Sequence, residues 1–113
     1  MLHVKTIKPW GYYVDFHRSK EVVSKKIVIE PGQSISYQYH DKRSEFWYIE
    51  SGTGEFCINA KACTVHAGFN FIINPKDKHR IKNIGTEDLV IYEMQFGYCS
   101  EDDIVRIEDQ YGR

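Results

Sequence analysis

Turn signals recur along this chain at short intervals, and the runs between them are rich in β-branched and aromatic residues. This spacing leaves room for short strands but not for long helices, and it is typical of a β-sandwich or a β-barrel. The predicted strands are residues 10–16, 22–29, 35–40, 45–50, 55–58, 63–66, 69–73, 79–83 and 89–96. A short turn at residues 101–106 is the one helical candidate, because no window shows a long helical period. The chain is therefore predicted to be all-β.

Length and charge exclude several classes of function. The 113 residues fit one domain, residues 1–113, which can bury a core without disulfides. The formal net charge of −1 provides no basic surface for a nucleic-acid backbone or an anionic membrane. No apolar run approaches the ~18 residues of a membrane span, and residues 1–5 have no apolar segment like that of a signal peptide. We expect a cytoplasmic protein that binds neither nucleic acid nor membrane.

The three cysteines, Cys57, Cys63 and Cys99, form no Cys-x-x-Cys pair. An odd number without such a pair indicates ordinary thiols rather than a disulfide framework or a zinc ribbon. One alternative is open. Cys57 and Cys63 flank a predicted turn, so a disulfide could join them if the hairpin register and an oxidising compartment allowed it.

The segment from Gly32 to Trp47 carries the chemistry that the sequence predicts. It is interpreted as a strand, a short loop and a second strand. Alternation along the first strand places Gln38 and His40 on one face. If that face meets the face of the second strand that carries Glu45, an amide oxygen, an imidazole nitrogen and a carboxylate oxygen converge. All three are ligand types for a divalent cation.

A fourth candidate ligand lies about thirty residues later. The turn that contains Pro75 leads into a predicted strand that begins at His79. We predict a metal site of Gln38, His40, Glu45 and His79, and a polar pocket without metal is the alternative.

These residues resemble the two motifs of the cupin family. The first motif consists of a glycine, a His-x-His pair, a glutamate after four further residues, and a second glycine. Gly32, His40, Glu45 and Gly52 match it, and Gln38 stands in place of the first histidine. The second motif is matched by Gly68, Pro75 and His79, with Asp77 in place of its last glycine. The resemblance implies a cupin barrel, which is a double-stranded β-helix or jelly roll.

The resemblance extends to the cupin-type isomerase domain of bacterial type II phosphomannose isomerases. The segments that match are Lys8-Pro9-Trp10-Gly11, the run from Ser36 to Trp47, His79-Arg80-Ile81-Lys82-Asn83 and the tail from Glu101 to Arg113. Lys42 and Phe46 stand where that family commonly has further histidines. The family usually carries this domain behind a guanylyltransferase, and no Gly-rich phosphate loop of that enzyme occurs in this sequence.

The resemblance implies that the protein interconverts mannose 6-phosphate and fructose 6-phosphate through an enediol. It implies one divalent metal ion, with zinc as the first choice and manganese, cobalt, nickel or iron as alternatives. Arg43 is the implied catalytic residue, and its permanent charge suits stabilisation of an enediolate. The candidate phosphate-binding residues are Arg80, Arg106 and Arg113. No general base is identified, because Glu93 is interpreted first as a solvated strand residue.

Two other functions are open. The chain could bind a sugar phosphate or a nucleotide sugar without turnover, or it could be another metal-dependent sugar isomerase or epimerase. A dioxygenase is disfavoured because iron usually takes more histidine ligands. Trp10, Tyr12 and Trp47 are interpreted as core or dimer contacts. We also expect a homodimer, with residues 10–16 as an edge strand that could pair between copies.

Overall fold

The computed structural model describes residues 4–108, and eleven strands make up most of that range. In chain order they are β1 Lys5–Lys8, β2 Gly11–Arg18, β3 Val22–Ile29, β4 Tyr37–His40, β5 Arg43–Ser51, β6 Thr53–Ile58, β7 Lys61–His66, β8 Asn70–Ile73, β9 His79–Asn83, β10 Leu89–Gly97 and β11 Ile104–Glu108. A 3-10 turn, Glu101–Asp103, precedes β11. Within the described range, no helix has the length and apolar character to cross a membrane.

The strands form two antiparallel sheets. The first has the order β1-β2-β3-β10-β5-β8, and the second has the order β11-β4-β9-β6-β7. Their inner faces share one core, which comprises Trp10, Ile27, Ile29, Ile35, Trp47, Ile49, Phe56, Val65, Ile73, Ile81, Leu89 and Ile91. The prediction of an all-β cupin barrel is confirmed.

The inner face of the first sheet is apolar at one end and polar at the other. At the apolar end, Ile91 lies opposite Ile27 on one side and Ile49 on the other. Two residues further along β10, Glu93 lies opposite Lys25 and Trp47. Polar side chains therefore collect at one end of the barrel, and the apolar end supplies the packing that holds them in position.

Gly52 occupies the turn between β5 and β6 with a positive φ of 91°. A Cβ atom there would lie 2.7 Å from the carbonyl oxygen of Asp88 and 2.8 Å from the Cα of Leu89. Only glycine fits both the backbone angle and the close approach of β10. This contact explains why the motif position at the end of β5 is a glycine.

The tail differs from its predicted helical turn. Only Glu101–Asp103 is helical, and the chain then continues as β11, which pairs with β4 at the edge of the second sheet. The N-terminal edge of the first sheet also differs from the prediction, because β1 pairs with β2 and lies outside it. Residues 10–16 are therefore not an edge strand, and the homodimer stays a prediction.

The register of β6 and β7 excludes the disulfide alternative. Cys63 pairs with Phe56, while Cys57 pairs with Ala62. Directly opposite residues share a face and adjacent residues do not, so the two thiols lie on opposite faces of the hairpin. All three cysteines are free.

Trp10 and Trp47 are core residues, as predicted, whereas Tyr12 is only partly buried. The ammonium group of Lys5 lies 3.9 Å from the centre of the Tyr12 ring. Tyr12 therefore carries a cation–π contact at the N-terminal edge of the sheet.

Candidate functional site

His40, Glu45 and His79 meet at the polar end of the barrel. His40 ends β4, Glu45 lies near the start of β5 and His79 begins β9, so both sheets contribute. All three side chains are buried, and one potential ligand atom from each lies within 4.8 Å of the others. The predicted convergence of these residues is therefore confirmed.

A backbone carbonyl group orients each of the two imidazole rings through its Nδ1 atom. The Nδ1 atom of His40 lies 3.2 Å from the carbonyl oxygen of Asp103, and the Nδ1 atom of His79 lies 2.9 Å from that of Asp77. A carbonyl oxygen can only accept, so each Nδ1 donates, and in a neutral imidazole the Nε2 atom then keeps its lone pair. This is the tautomer that a metal ligand requires, and the carbonyl groups are the usual outer partners of such ligands.

Glu45 is the centre of the cluster. Its Oε2 atom lies 2.8 Å from Arg43 Nη2 and 3.2 Å from His40 Nε2, and its Oε1 atom accepts a hydrogen bond of 3.0 Å from Trp47 Nε1. The Nη2 atom of Arg43 also lies 3.0 Å from His40 Nε2. The guanidinium group therefore supplies the positive charge that faces this buried carboxylate.

The electrostatics favour an ionised glutamate beside a neutral histidine. Burial raises the pKa of Glu45, but the hydrogen bond with His40 and the charge interactions with His79, His40 and Arg43 outweigh it and hold the pKa well below its usual range. Burial lowers the pKa of His79, against the opposing effect of Glu45. At neutral pH the cluster therefore presents one carboxylate and at least one neutral imidazole, which are the forms that bind a cation.

The Nε2 atom of His79 shows that the cluster fits a metal ion. It is buried and has no hydrogen-bond partner among the described residues, and its nearest acidic atom is Glu45 Oε1 at 3.7 Å. A buried nitrogen lone pair without a partner is costly unless a ligand satisfies it. Two imidazoles and a carboxylate are a common donor set for zinc and related divalent metals.

Gln38, the fourth predicted ligand, lies directly opposite His79 in the pairing of β4 with β9. Its Oε1 atom accepts a 2.7 Å hydrogen bond from Ser36 Oγ. Gln38 therefore shares the face of the cluster, and its role as a ligand stays a prediction.

Comparisons with known proteins identify the family of this cupin barrel. The family described as "Mannose-6-phosphate isomerase C-terminal" matches residues 1–109. The chain belongs to this family. Two curated relatives are the xanthan biosynthesis protein XanB of Xanthomonas campestris pv. campestris, 38% identical over 112 residues, and the mannose-1-phosphate guanylyltransferase ManC of Salmonella typhimurium, 33% identical over 113 residues.

These matches cover 98% and 99% of the chain but only 24% of each relative. The chain thus spans about a quarter of the length of the curated relatives that it matches. Among solved structures, the capsular polysaccharide assembling protein CapF of Staphylococcus aureus superimposes with a TM-score of 0.81 at 15% identity, over 96% of this chain and 35% of CapF. At that identity the likeness shows the cupin fold alone.

The two positions where this family member departs from the histidine-rich pattern do not face the cluster. Phe46 alternates with Glu45 and Trp47, so it lies on the outer face of β5 and is only partly buried. Lys42 is exposed, and its ammonium group lies 5.2 Å from the centre of the Tyr98 ring. Neither substitution removes a candidate metal ligand.

A cleft of about 610 Å³, part of it open to solvent, lies beside the cluster. Arg43 lines this cleft with Gln38 and Arg106. The predicted loop position of Arg43 is wrong, because it is the first residue of β5 and is 4% exposed. The register of β5 therefore fixes this cation between the cleft and Glu45.

The three predicted phosphate-binding residues have different outcomes. Arg106 lines the cleft, because it lies opposite Gln38 in the pairing of β11 with β4. The structure does not bring Arg80 to the cleft: it follows the inward-facing His79, and its Nη1 atom lies 3.7 Å from Glu108 Oε2. Arg113 lies outside the described residues.

Two lysines of the cleft were not among the predicted site residues. Lys8 and Lys25 both line it. Lys25 is 7% exposed and alternates with the inward-facing Val23 and Ile27. That alternation was the available signal, since a lysine at an inward-facing strand position must lie in a cavity or beside a counter-charge.

Glu93 was interpreted as solvated, and this is wrong. It is 5% exposed and lines the cleft on the inner face of β10. Its alternation with Leu89, Ile91 and Gln95 was predicted correctly, and all four side chains are buried.

Asp103 joins the tail to the cluster of His40, Glu45 and His79. Its carboxylate accepts hydrogen bonds from the backbone nitrogen atoms of Asp41, at 3.2 Å, and Lys42, at 2.9 Å. Its carbonyl oxygen also orients His40. Asp103 therefore fixes the loop between β4 and β5, which carries Arg43 into the cleft.

We expect Asp103→Ala to lower the free energy of unfolding by about 1–2 kcal/mol, because two hydrogen bonds to backbone nitrogens are lost and water replaces them in part. Any turnover at this site should also fall, since the loop that carries Arg43 loses its support, while the backbone carbonyl group that orients His40 remains. Urea unfolding and initial rates check this, with the exposed Asp102→Ala as the matched control. Equal effects of the two substitutions would contradict the role of Asp103.

Proposed function

We propose that this chain is a metal-dependent isomerase that interconverts mannose 6-phosphate and fructose 6-phosphate. The observation that carries the proposal is the buried cluster of His40, Glu45 and His79, with both Nε2 atoms turned inward, at the edge of a cationic cleft. Membership of the mannose-6-phosphate isomerase C-terminal family supports the choice of substrate.

Three side chains of the cluster are suited to hold a metal ion that acts on the substrate. His40, Glu45 and His79 would hold the ion, with Gln38 as a further candidate ligand and zinc as the first choice. When bound, a divalent metal supplies Lewis-acid polarisation of a substrate oxygen. The protein's own contribution is to hold these ligands rigidly, because each lies on a strand and each imidazole is fixed by a carbonyl group.

Arg43 is suited to stabilise negative charge on the substrate. Its Nη1 atom is buried and has no hydrogen-bond partner among the described residues, while its other nitrogens contact Glu45. An enediolate oxygen in the cleft would accept a hydrogen bond from this atom. Such a preorganised donor acts most strongly on the transition state, where the charge develops.

The phosphate group is best placed beside Lys8 and Arg106, which line the cleft with Arg43. A sugar phosphate carries about two negative charges near pH 7, and guanidinium and ammonium groups are its usual partners. The cleft therefore offers Lys8 and Arg106 for the phosphate group and Arg43 for the oxygens of the reacting carbon atoms.

The test is an assay of mannose 6-phosphate conversion to fructose 6-phosphate by the untagged chain, with metal content measured on the same samples. We expect turnover that is lost, together with the metal, in His79→Ala. The matched control is His17→Ala, which removes an exposed histidine on β2 and should retain both.

A bound metal without turnover of either sugar phosphate would contradict the isomerase and leave a binding protein. A second candidate, a protein that binds a sugar phosphate without metal or turnover, has one specific observation in its favour, because Arg43 already contacts the same atoms of His40 and Glu45 that a metal would use.

A further inference from the structure

Glu93 is a buried acid that the ligand set and the phosphate site do not use. It lies on the inner face of β10 and lines the same cleft as Arg43. Its Oε1 atom accepts a hydrogen bond of 2.6 Å from Gln95 Nε2. A buried carboxyl group in a ligand cleft requires an explanation, because burial penalises its charge.

The pairing of β10 with β5 places Glu93 next to the candidate ligand Glu45 on the inner face of the sheet. Glu93 lies opposite Trp47 in the pairing of β10 with β5, and Gln95 lies opposite Glu45. Glu93 and Glu45 are thus diagonal neighbours on one sheet face, for which the typical separation is about 7–8 Å. A substrate in the cleft that Arg43 and Glu93 line would therefore bring its reacting carbon atoms close to both the ligand cluster and Glu93.

Two unpartnered atoms of the same cleft suggest how a polar substrate would be held there. Among the described residues, the buried Nη1 of Arg43 and the buried Oε1 of Gln95 have no hydrogen-bond partner. One is a donor and the other an acceptor, and both residues line the cleft with Glu93. A substrate hydroxyl group next to Glu93 would satisfy both, because it accepts from Arg43 and donates to Gln95.

The charges around Glu93 favour proton exchange near neutral pH. Burial and the nearby Glu45 raise the pKa of Glu93 to about 7, although Lys25, Arg43 and the hydrogen bond from Gln95 act in the opposite direction. Lys25 faces it from β3, and Arg43 and Glu45 face it from β5. A group that titrates near the working pH can both accept and return a proton.

We propose that Glu93 carries the proton between C2 and C1 of the open-chain sugar phosphate, an inference that rests on the proposed isomerase function. The Glu93 carboxylate removes the proton from C2 of the aldose. The electron pair of the broken C–H bond forms the C1–C2 double bond, and the carbonyl electron pair moves to O1. The O2 proton passes to O1, C1 takes the proton back from Glu93, and C2 becomes the ketone carbonyl.

The experiment compares wild type, Glu93→Gln and Glu93→Asp in deuterium oxide. We measure turnover, deuterium incorporation at C2 of mannose 6-phosphate and C1 of fructose 6-phosphate, metal content, and the affinity for mannitol 6-phosphate, which has no carbonyl group. Glu50→Gln is the matched control, because Glu50 is exposed on β5. Melting temperatures show that each variant is folded.

We expect Glu93→Gln to lose turnover and deuterium exchange by about 10²–10⁴-fold, with metal content and affinity for mannitol 6-phosphate unchanged. Glu93→Asp keeps an acid and should recover part of both rates, and this comparison stays informative if the glutamine variant does not fold. If the wild type is active and Glu93→Gln keeps near-normal deuterium exchange, the proposed role of Glu93 is wrong, while the proposed isomerase function stands. Wild type without turnover or exchange would instead overturn the proposed function.

Discussion

We expect Arg43→Met to lower the free energy of unfolding of the metal-free protein by about 3–5 kcal/mol at neutral pH and to abolish turnover. Glu45 is 1% exposed, and two nitrogen atoms of Arg43 contact its Oε2 atom at 2.9 and 2.8 Å. Removal of one partner from a buried ion pair leaves the other charge without compensation. Methionine keeps most of the apolar length of the side chain, so the loss reports the charge rather than a cavity.

A bound metal should reduce this loss of stability. Its positive charge also compensates Glu45, so saturating zinc should stabilise Arg43→Met more than wild type. Urea unfolding with a chelator and with zinc gives both differences, and the exposed Lys82→Met on β9 is the matched control. An unchanged stability of metal-free Arg43→Met would show that Glu45 does not depend on Arg43 for its counter-charge.

The second large effect is a pH dependence of stability that comes from Glu93. Burial and Glu45 raise the pKa of Glu93 from 4.5 to about 7. Between those pH values the folded protein binds a proton that the unfolded chain does not bind. The contribution of Glu93 is therefore fully present below pH 4.5 and is lost as the pH rises through 7, by about 3 kcal/mol in total.

The measurement is the free energy of unfolding in urea, with a chelator present, at a series of pH values from 4.5 to 8. The difference between wild type and Glu93→Gln isolates Glu93, because other titrating groups contribute to both. We expect wild type to lose stability relative to Glu93→Gln as the pH rises. A difference that does not change with pH would show that Glu93 titrates at an ordinary value.

Strand spacing and alternation predicted an all-β sandwich or barrel, and the resemblance to the cupin motifs added the barrel type and most of the candidate centre. The predicted bounds of β3 and β9 match the structure, and the His40, Glu45 and His79 cluster forms as expected. These residues could be predicted because each lies on a strand where alternation determines its face. The glycines and the proline of the motif then set the turns between the strands.

Glu93 and Lys25 show what alternation cannot decide. A period of two assigns residues to faces but does not say which face is inside when both carry polar side chains. The register supplied the answer, since Glu93 lies between Lys25 and Trp47. Pairing between distant strands depends on the whole fold, and a local pattern does not contain it.

The prediction of a helical turn at residues 101–106 was only partly right, for a different reason. Its acidic run does form a helical turn, but the residues after Asp103 pair with β4. That edge of the second sheet is available only once the barrel exists, and tertiary pairing then decides the conformation of a short segment with weak local preference.

The most direct test of the central claim is a calorimetric titration of the metal-free chain with zinc. The structure predicts one ion per chain, held by His40, Glu45 and His79. Binding should be lost in His79→Ala and retained in His17→Ala. If wild type binds no zinc, or if His79→Ala binds it as tightly as wild type does, the metal centre described here is wrong.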